Sequence, residues 1–136
     1  MLVLARAKGQ ALVLLDWELS FWGDPARDLG SIVADYALGW LAPEHDNEAL
    51  AKDALQALLG ALLVAYRQGR ESGFQLDEEF QRRVVRWTGA ALLFYIYGMT
   101  HYEGEFSERA RRLTEYATHM LGAPELWSGR LWGALA

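Results

Sequence analysis

Polar and apolar positions divide the chain into a short apolar start followed by stretches of helical period. Residues 2–6 and 11–15 are β-capable runs joined by Ala7-Lys8-Gly9-Gln10, a glycine-containing polar link of the kind that closes a hairpin. The second run, Ala11-Leu12-Val13-Leu14-Leu15, is apolar throughout, as in a strand covered on both faces. Residues 17–23 read as a loop. Asp24 then predicts a helix N-cap with Pro25 as first residue, where the missing N–H costs nothing. Leu29, Ile32, Val33, Tyr36 and Ala37 follow at helical spacing, and the helix stops by Pro43.

A second helix is expected over 47–68, with Leu55, Leu58, Leu59, Leu62 and Tyr66 inward and Lys52, Asp53 and Arg67 in water. The segment 69–75, with two glycines, breaks it. Asp77 starts a third helix, whose face is Phe80, Val84, Trp87, Ala91, Leu92 and Tyr95; beyond Thr88 it is apolar nearly all round, which predicts a central position. It ends near Gly104. Ser107 caps a fourth helix with Ala110, Leu113, Tyr116, Ala117 and Met120 inward, terminated by Gly122 and Pro124. The tail predicts a short helix docked through Trp127 and Trp132. The expected fold is mainly α: a short N-terminal β-hairpin followed by a four- to five-helix bundle, one domain over residues 1–136.

Composition changes this picture little. At 136 residues and 52% hydrophobic, the chain has enough apolar mass for a core. A net charge of −5 argues against nucleic acid and anionic membrane as partners. No Cys is present, which fits a reducing, cytoplasmic setting. The long apolar run from Val84 to Tyr102 carries Arg86, Thr88 and His101, so a buried helix is expected in place of a membrane span.

The chemistry gathers at Val13–Gly30. In an extended backbone, residues i and i+2 point the same way, so Asp16 and Glu18 can face one site. Magnesium takes hard oxygen ligands of this kind, usually one or two carboxylates with water and substrate phosphates. Taken alone, Asp-Trp-Glu reads more readily as a strand-to-helix connection with two solvated acids. The longer pattern, Leu15-Asp16-Trp17-Glu18, then Gly23-Asp24-Pro25, then Asp28-Leu29, resembles the aminoglycoside phosphotransferase and choline kinase superfamily, which has a protein-kinase-like fold.

That resemblance implies a C-terminal lobe. Asp16 matches the aspartate that binds Mg²⁺ at the ATP phosphates, and Glu18 the second acid of the D-x-E variant. Asp24 and Pro25 match the turn that launches the next helix. Asp28 matches a buried aspartate that braces the catalytic loop, and an acid in a helix first turn beside an apolar face would need donors if buried. The acceptor is a small-molecule hydroxyl. The helices would line its pocket, with Tyr97, His101 and Glu103 as contact candidates.

One half of the pattern is missing. The superfamily's H-G-D-x-x-x-x-N catalytic loop lies just upstream of the metal strand, and residues 1–15 contain no Asp, Asn or His. The nucleotide-binding lobe is missing too. Phosphoryl transfer needs ATP, metal and acceptor positioned together, so the chain by itself is expected not to catalyse it. A non-catalytic helical binding module or pseudokinase remnant that needs a partner chain is the alternative. Apolar surface around Leu2, Leu4, Leu12 and Trp17 would then favour self-association.

The other signals are weaker. The three histidines show no metal spacing, and no serine sits in a nucleophile elbow. Arg82, Arg83 and Arg86, and again Arg109, Arg111 and Arg112, are expected on solvated helix faces.

Overall fold

The computed structural model describes residues 3–4, 13–14, 22–41, 52–69 and 77–132. Their fold is mainly helical, a bundle of five helices: α1 (Ala26–Leu41), α2 (Lys52–Gln68), α3 (Glu78–Glu103), α4 (Glu108–Gly122) and α5 (Pro124–Trp132). At the N-terminus, Val3–Leu4 (β1) and Val13–Leu14 (β2) pair antiparallel, Val3 opposite Leu14 and Leu4 opposite Val13. No described helix is long and apolar enough to cross a membrane.

Local chemistry sets the helix starts. The Asp24 carboxylate accepts from the Ala26 N–H at 3.0 Å, so α1 opens one residue beyond the proline. Asp77 accepts from Phe80 N–H at 2.7 Å and Ser107 from Ala110 N–H at 3.2 Å. Helix α3 closes on Gly104 in the left-handed conformation, φ 74°, whose N–H donates to the Thr100 carbonyl.

Helix α3 is the spine: α1, α4 and α5 all pack against it. Two glycines fix how closely. A Cβ at Gly30 of α1 would stand 2.5 Å from Trp87 Cβ and 2.9 Å from Thr88 N. A Cβ at Gly89 of α3 would stand 2.8 Å from the Ala117 carbonyl of α4. Both crossings are therefore backbone against backbone. This geometry turns α1: its buried side is Ala26, Leu29, Gly30, Val33, Ala34 and Ala37, while Ile32 is half-buried and Tyr36 exposed. Gly30, with the small residues Ala26 and Ala34 one turn to either side, gives the close approach, and the expected Leu29, Val33 and Ala37 are buried beside it.

Helix α2 buries Leu55, Leu59 and Leu63 and leaves Leu58 exposed, a seam of strict fourfold spacing. The inward face of α4 follows the expected pattern, with Ala110, Leu113, Ala117 and Met120 buried and Tyr116 half-buried. Helix α5 docks by Trp127, Leu131 and Trp132. Trp127 meets Trp40 of α1 and Tyr116 of α4 edge-on, with ring centroids 6.4 and 5.7 Å away.

Helix α3 is central without being enclosed. It buries Phe80, Val84, Val85, Thr88, Leu92 and Ile96, but Phe94, Tyr97 and Tyr102 are 79%, 68% and 88% exposed. The uniformly apolar stretch thus has one packed side and one bare aromatic side.

Candidate functional site

The start of α1 is tied down by its own acid. Besides capping Ala26, Asp24 accepts from the Trp87 indole N–H at 3.2 Å and pairs with the Arg83 guanidinium at 3.2 Å. Arg83 and Trp87 lie one turn apart on α3, so a single face of that helix holds the Gly-Asp-Pro turn. With both oxygens engaged by protein donors, Asp24 serves as a tether between two helices. Just before it, Trp22 is fully exposed.

Asp28 is exposed in the first turn of α1, and the catalytic loop that the resemblance would set against it is not part of these residues. The buried stripe of α1 runs through Ala26, Leu29 and Gly30, and position 28 faces away from it. Water solvates the carboxylate, so the need for protein donors that burial would impose does not arise. Asp16, Glu18 and, of the apolar surface expected around Leu2, Leu4, Leu12 and Trp17, all but Leu4 lie outside the described residues, as do the helical start at 47–51 and residues 70–75 of the break expected at 69–75. Among the described residues no group of three or more His, Cys, Asp and Glu side chains is placed to hold a metal ion.

Beside the tether, an open groove of about 700 Å³ runs between α1 and α3. Arg27, Ser31, Asp35 and Leu38 recur along one face of α1; Trp87, Ala91, Phe94, Gly98 and Tyr102 recur along one face of α3. These spacings of three and four bring each set to one side of its helix. Arg27 places its guanidinium over the Trp87 ring, 5.9 Å from the centroid, at the end near Asp24. Tyr95, also in the wall, lies under the Arg109 guanidinium at 5.8 Å, and its hydroxyl accepts from Arg109 at 3.5 Å.

Of the sequence candidates for the acceptor pocket, Tyr97 and His101 do not line this groove. They stack on each other with ring centroids 6.0 Å apart, and Tyr97 is largely exposed. Glu103 is the last residue of α3. The groove takes Tyr102 in their place. Periodicity could have found Trp87, Phe94 and Tyr102 as one stripe, had the stretch beyond Thr88 not been apolar on every side.

The two arginine clusters split. Arg82 pairs with Glu78 and Glu79 at the surface, and Arg86 is exposed, as expected. Arg83 departs, since it holds Asp24 and lies 5.4 Å over Phe80. In the second cluster Arg111 pairs with Glu108 and Glu115, Arg112 is exposed and Arg109 engages Tyr95.

Comparison with known protein families, characterised proteins and solved structures finds no significant match to the chain.

Proposed function

We propose that the chain is the helical C-terminal part of an ATP- and Mg²⁺-dependent phosphotransferase that phosphorylates a hydroxyl group of a small molecule. The observation that carries this is the linked pattern Asp16-Trp17-Glu18, Gly23-Asp24-Pro25 and Asp28-Leu29. What supports it is the role of Asp24 as the cap that opens α1 and anchors it to α3, together with a groove beginning at that same turn.

In such an enzyme the N-terminal hairpin would carry the apolar strand from which Asp16 and Glu18 emerge, and these two acids would hold Mg²⁺, which would supply charge neutralisation at the ATP phosphates. The acceptor lies in the α1–α3 groove. Its hydroxyl oxygen bonds to the γ-phosphorus, the bond from that phosphorus to the bridging oxygen breaks, ADP leaves, and the hydroxyl proton passes to a base. Residues 1–15 hold no Asp, Asn or His to act as that base. A catalytic loop upstream in an enclosing chain would supply it and cover Asp28. Such an enzyme works in the cytoplasm, where ATP is.

The coding sequence upstream of Met1 tests this. An in-frame H-G-D-x-x-x-x-N segment is expected, and the longer product should transfer phosphate from ATP and lose that activity with Asp16→Asn. A stop codon directly upstream would remove the basis for the proposal.

The bare aromatic side of α3 favours a second reading, a non-catalytic helical module that binds a partner or self-associates. Size-exclusion chromatography of the 136-residue chain distinguishes it, a stable dimer or complex being expected.

A further inference from the structure

We infer that two copies of the chain pair through α3, antiparallel about Gly98, so that Phe94 of each copy meets Tyr102 of the other. This rests on the second reading, self-association, and names its contact. In such a pair the partner's α3 lies along the groove that the first reading gives to an acceptor.

Three observations carry it. The first is Gly98 itself, which lines the groove with Phe94 and Tyr102 one turn to either side. Inside the bundle, Gly30 and Gly89 each let the backbone of another helix come where a Cβ would stand. A Cβ at Gly98 would meet nothing within 4 Å among the described residues. The close approach that two glycines give inside the bundle is therefore open at Gly98 to a helix from outside. The second is symmetry. Where two antiparallel helices cross at one residue, the position four before the crossing faces the position four after it on the other copy. Phe94 and Tyr102 stand at those positions, so ring meets ring on both sides of the axis. A two-fold contact needs a patch that is complementary to itself in this way.

The third is area. Phe94, Tyr97 and Tyr102 are largely exposed and together offer on the order of 500 Å² of aromatic surface. Monomers rarely bare a continuous apolar patch beyond a few hundred Å². A stable pair covers about 800 Å² on each partner, and Leu38, Trp87 and Met99 along the groove extend the face toward that size.

The chain contains no Cys, so introduced thiols report the contact directly. At roughly 1.5 Å per residue, the two copies of position 94 lie about 12 Å apart along the helices, whereas a disulfide needs Cα atoms within about 7 Å. A mixture of Phe94→Cys and Tyr102→Cys chains in an oxidised-glutathione buffer should therefore cross-link at least about tenfold faster than either chain alone. Sedimentation equilibrium of the 136-residue chain should show monomer and dimer in exchange. Gly98→Leu, whose side chain starts in open space in the monomer, should raise the dissociation constant at least about tenfold while circular dichroism shows the helices intact. Added apolar bulk would strengthen an unspecific contact, so the direction of the change separates the two.

A chain that stays monomeric up to about 1 mM overturns the inference together with the self-association reading. A dimer that Gly98→Leu leaves unchanged or tightens overturns the inference and leaves self-association standing. So does cross-linking that is as fast in the single-variant samples as in the mixture. If Gly98→Leu does not fold, the thiol arm decides alone. The phosphotransferase proposal keeps its own test in the upstream sequence.

Discussion

Replacing Gly30 by Ala adds one methyl group where α1 crosses α3, and two opposing effects can be weighed. Alanine in place of glycine within a helix is worth about 0.5–1 kcal/mol, through the lower entropy of the unfolded chain. Against this, the new carbon would sit 2.5 Å from Trp87 Cβ and 2.9 Å from two backbone atoms of α3. Carbon atoms rest at about 3.5–4.0 Å, so the helices must part by roughly 1 Å. A gap of that size forfeits a quarter to a half of each contact along the seam, and overpacking of this kind typically costs about 1–3 kcal/mol. The obstacles are a Cβ and main-chain atoms, which no rotamer change can move, so the upper end of that range applies. The net expectation is a loss of about 2 kcal/mol, or on the order of 8 °C in Tm.

The control is Gly39→Ala in the same helix, where nothing lies within 4 Å of the new carbon. It should gain about 0.5–1 kcal/mol, because only the propensity effect remains. Urea unfolding followed by circular dichroism, with calorimetry for Tm, measures both variants. If Gly30→Ala proves as stable as the parent, the close crossing of α1 and α3 is wrong, whatever the control does.

Two further outcomes are expected. Asp24→Ala removes the cap of α1 together with its links to Arg83 and Trp87, and should lower stability by about 1–2 kcal/mol; Asp24→Asn, which keeps a capping oxygen, should lose about half as much. The urea midpoints of the two variants check this, and equal losses would mean that the ties to α3 carry the effect and the cap does not. The Glu108 carboxyl is held below its ordinary value, first by the hydrogen bond from Arg111 and also by the nearby charges of Arg111 and Arg112. A depressed folded value means that the pair stabilises the fold above the ordinary value of 4.5 and loses that contribution as pH falls through the folded value. Unfolding midpoints of the parent and Arg111→Gln should therefore differ slightly at neutral pH and converge in acid, and a difference that persists in acid would contradict this sign.

The capping residues were legible in the sequence because a cap acts over three residues: Asp24, Asp77 and Ser107 were all recognisable from their neighbours. So was the face of α4, where polar residues separate the apolar positions. The faces of α1 and α3 were legible in part: Leu29, Val33 and Ala37 of α1, and Phe80, Val84 and Leu92 of α3, are buried as expected. On α3 the expected face placed Leu92 inward and left out Phe94, as the structure has them, but it also took in Trp87, which is exposed, and missed Val85 and Ile96, which are buried. On α1 the seam depends on the absence of a side chain at Gly30, and bulk alone pointed to Ile32 and Tyr36. Arg83 seemed a solvated charge because its partner, Asp24, is distant in the chain. At the candidate site the turn at Asp24 was legible, whereas the groove was not, since it takes one stripe from each of two helices and exists only once they cross.

The position of Trp127 bears on when the protein can fold. Its ring meets Trp40 of α1 and Tyr116 of α4 edge-on, so two other helices meet on a residue of α5, the last helix described. Synthesis delivers the chain from the N-terminus, so α1 and α4 leave the ribosome before the side chain that joins them. Until α5 follows, Trp40 and Tyr116 lack their partner, and the aromatic side of α3 is already in water. The bundle closes only once α5 has been made, and the interval before closure is when the nascent chain most needs protection from association.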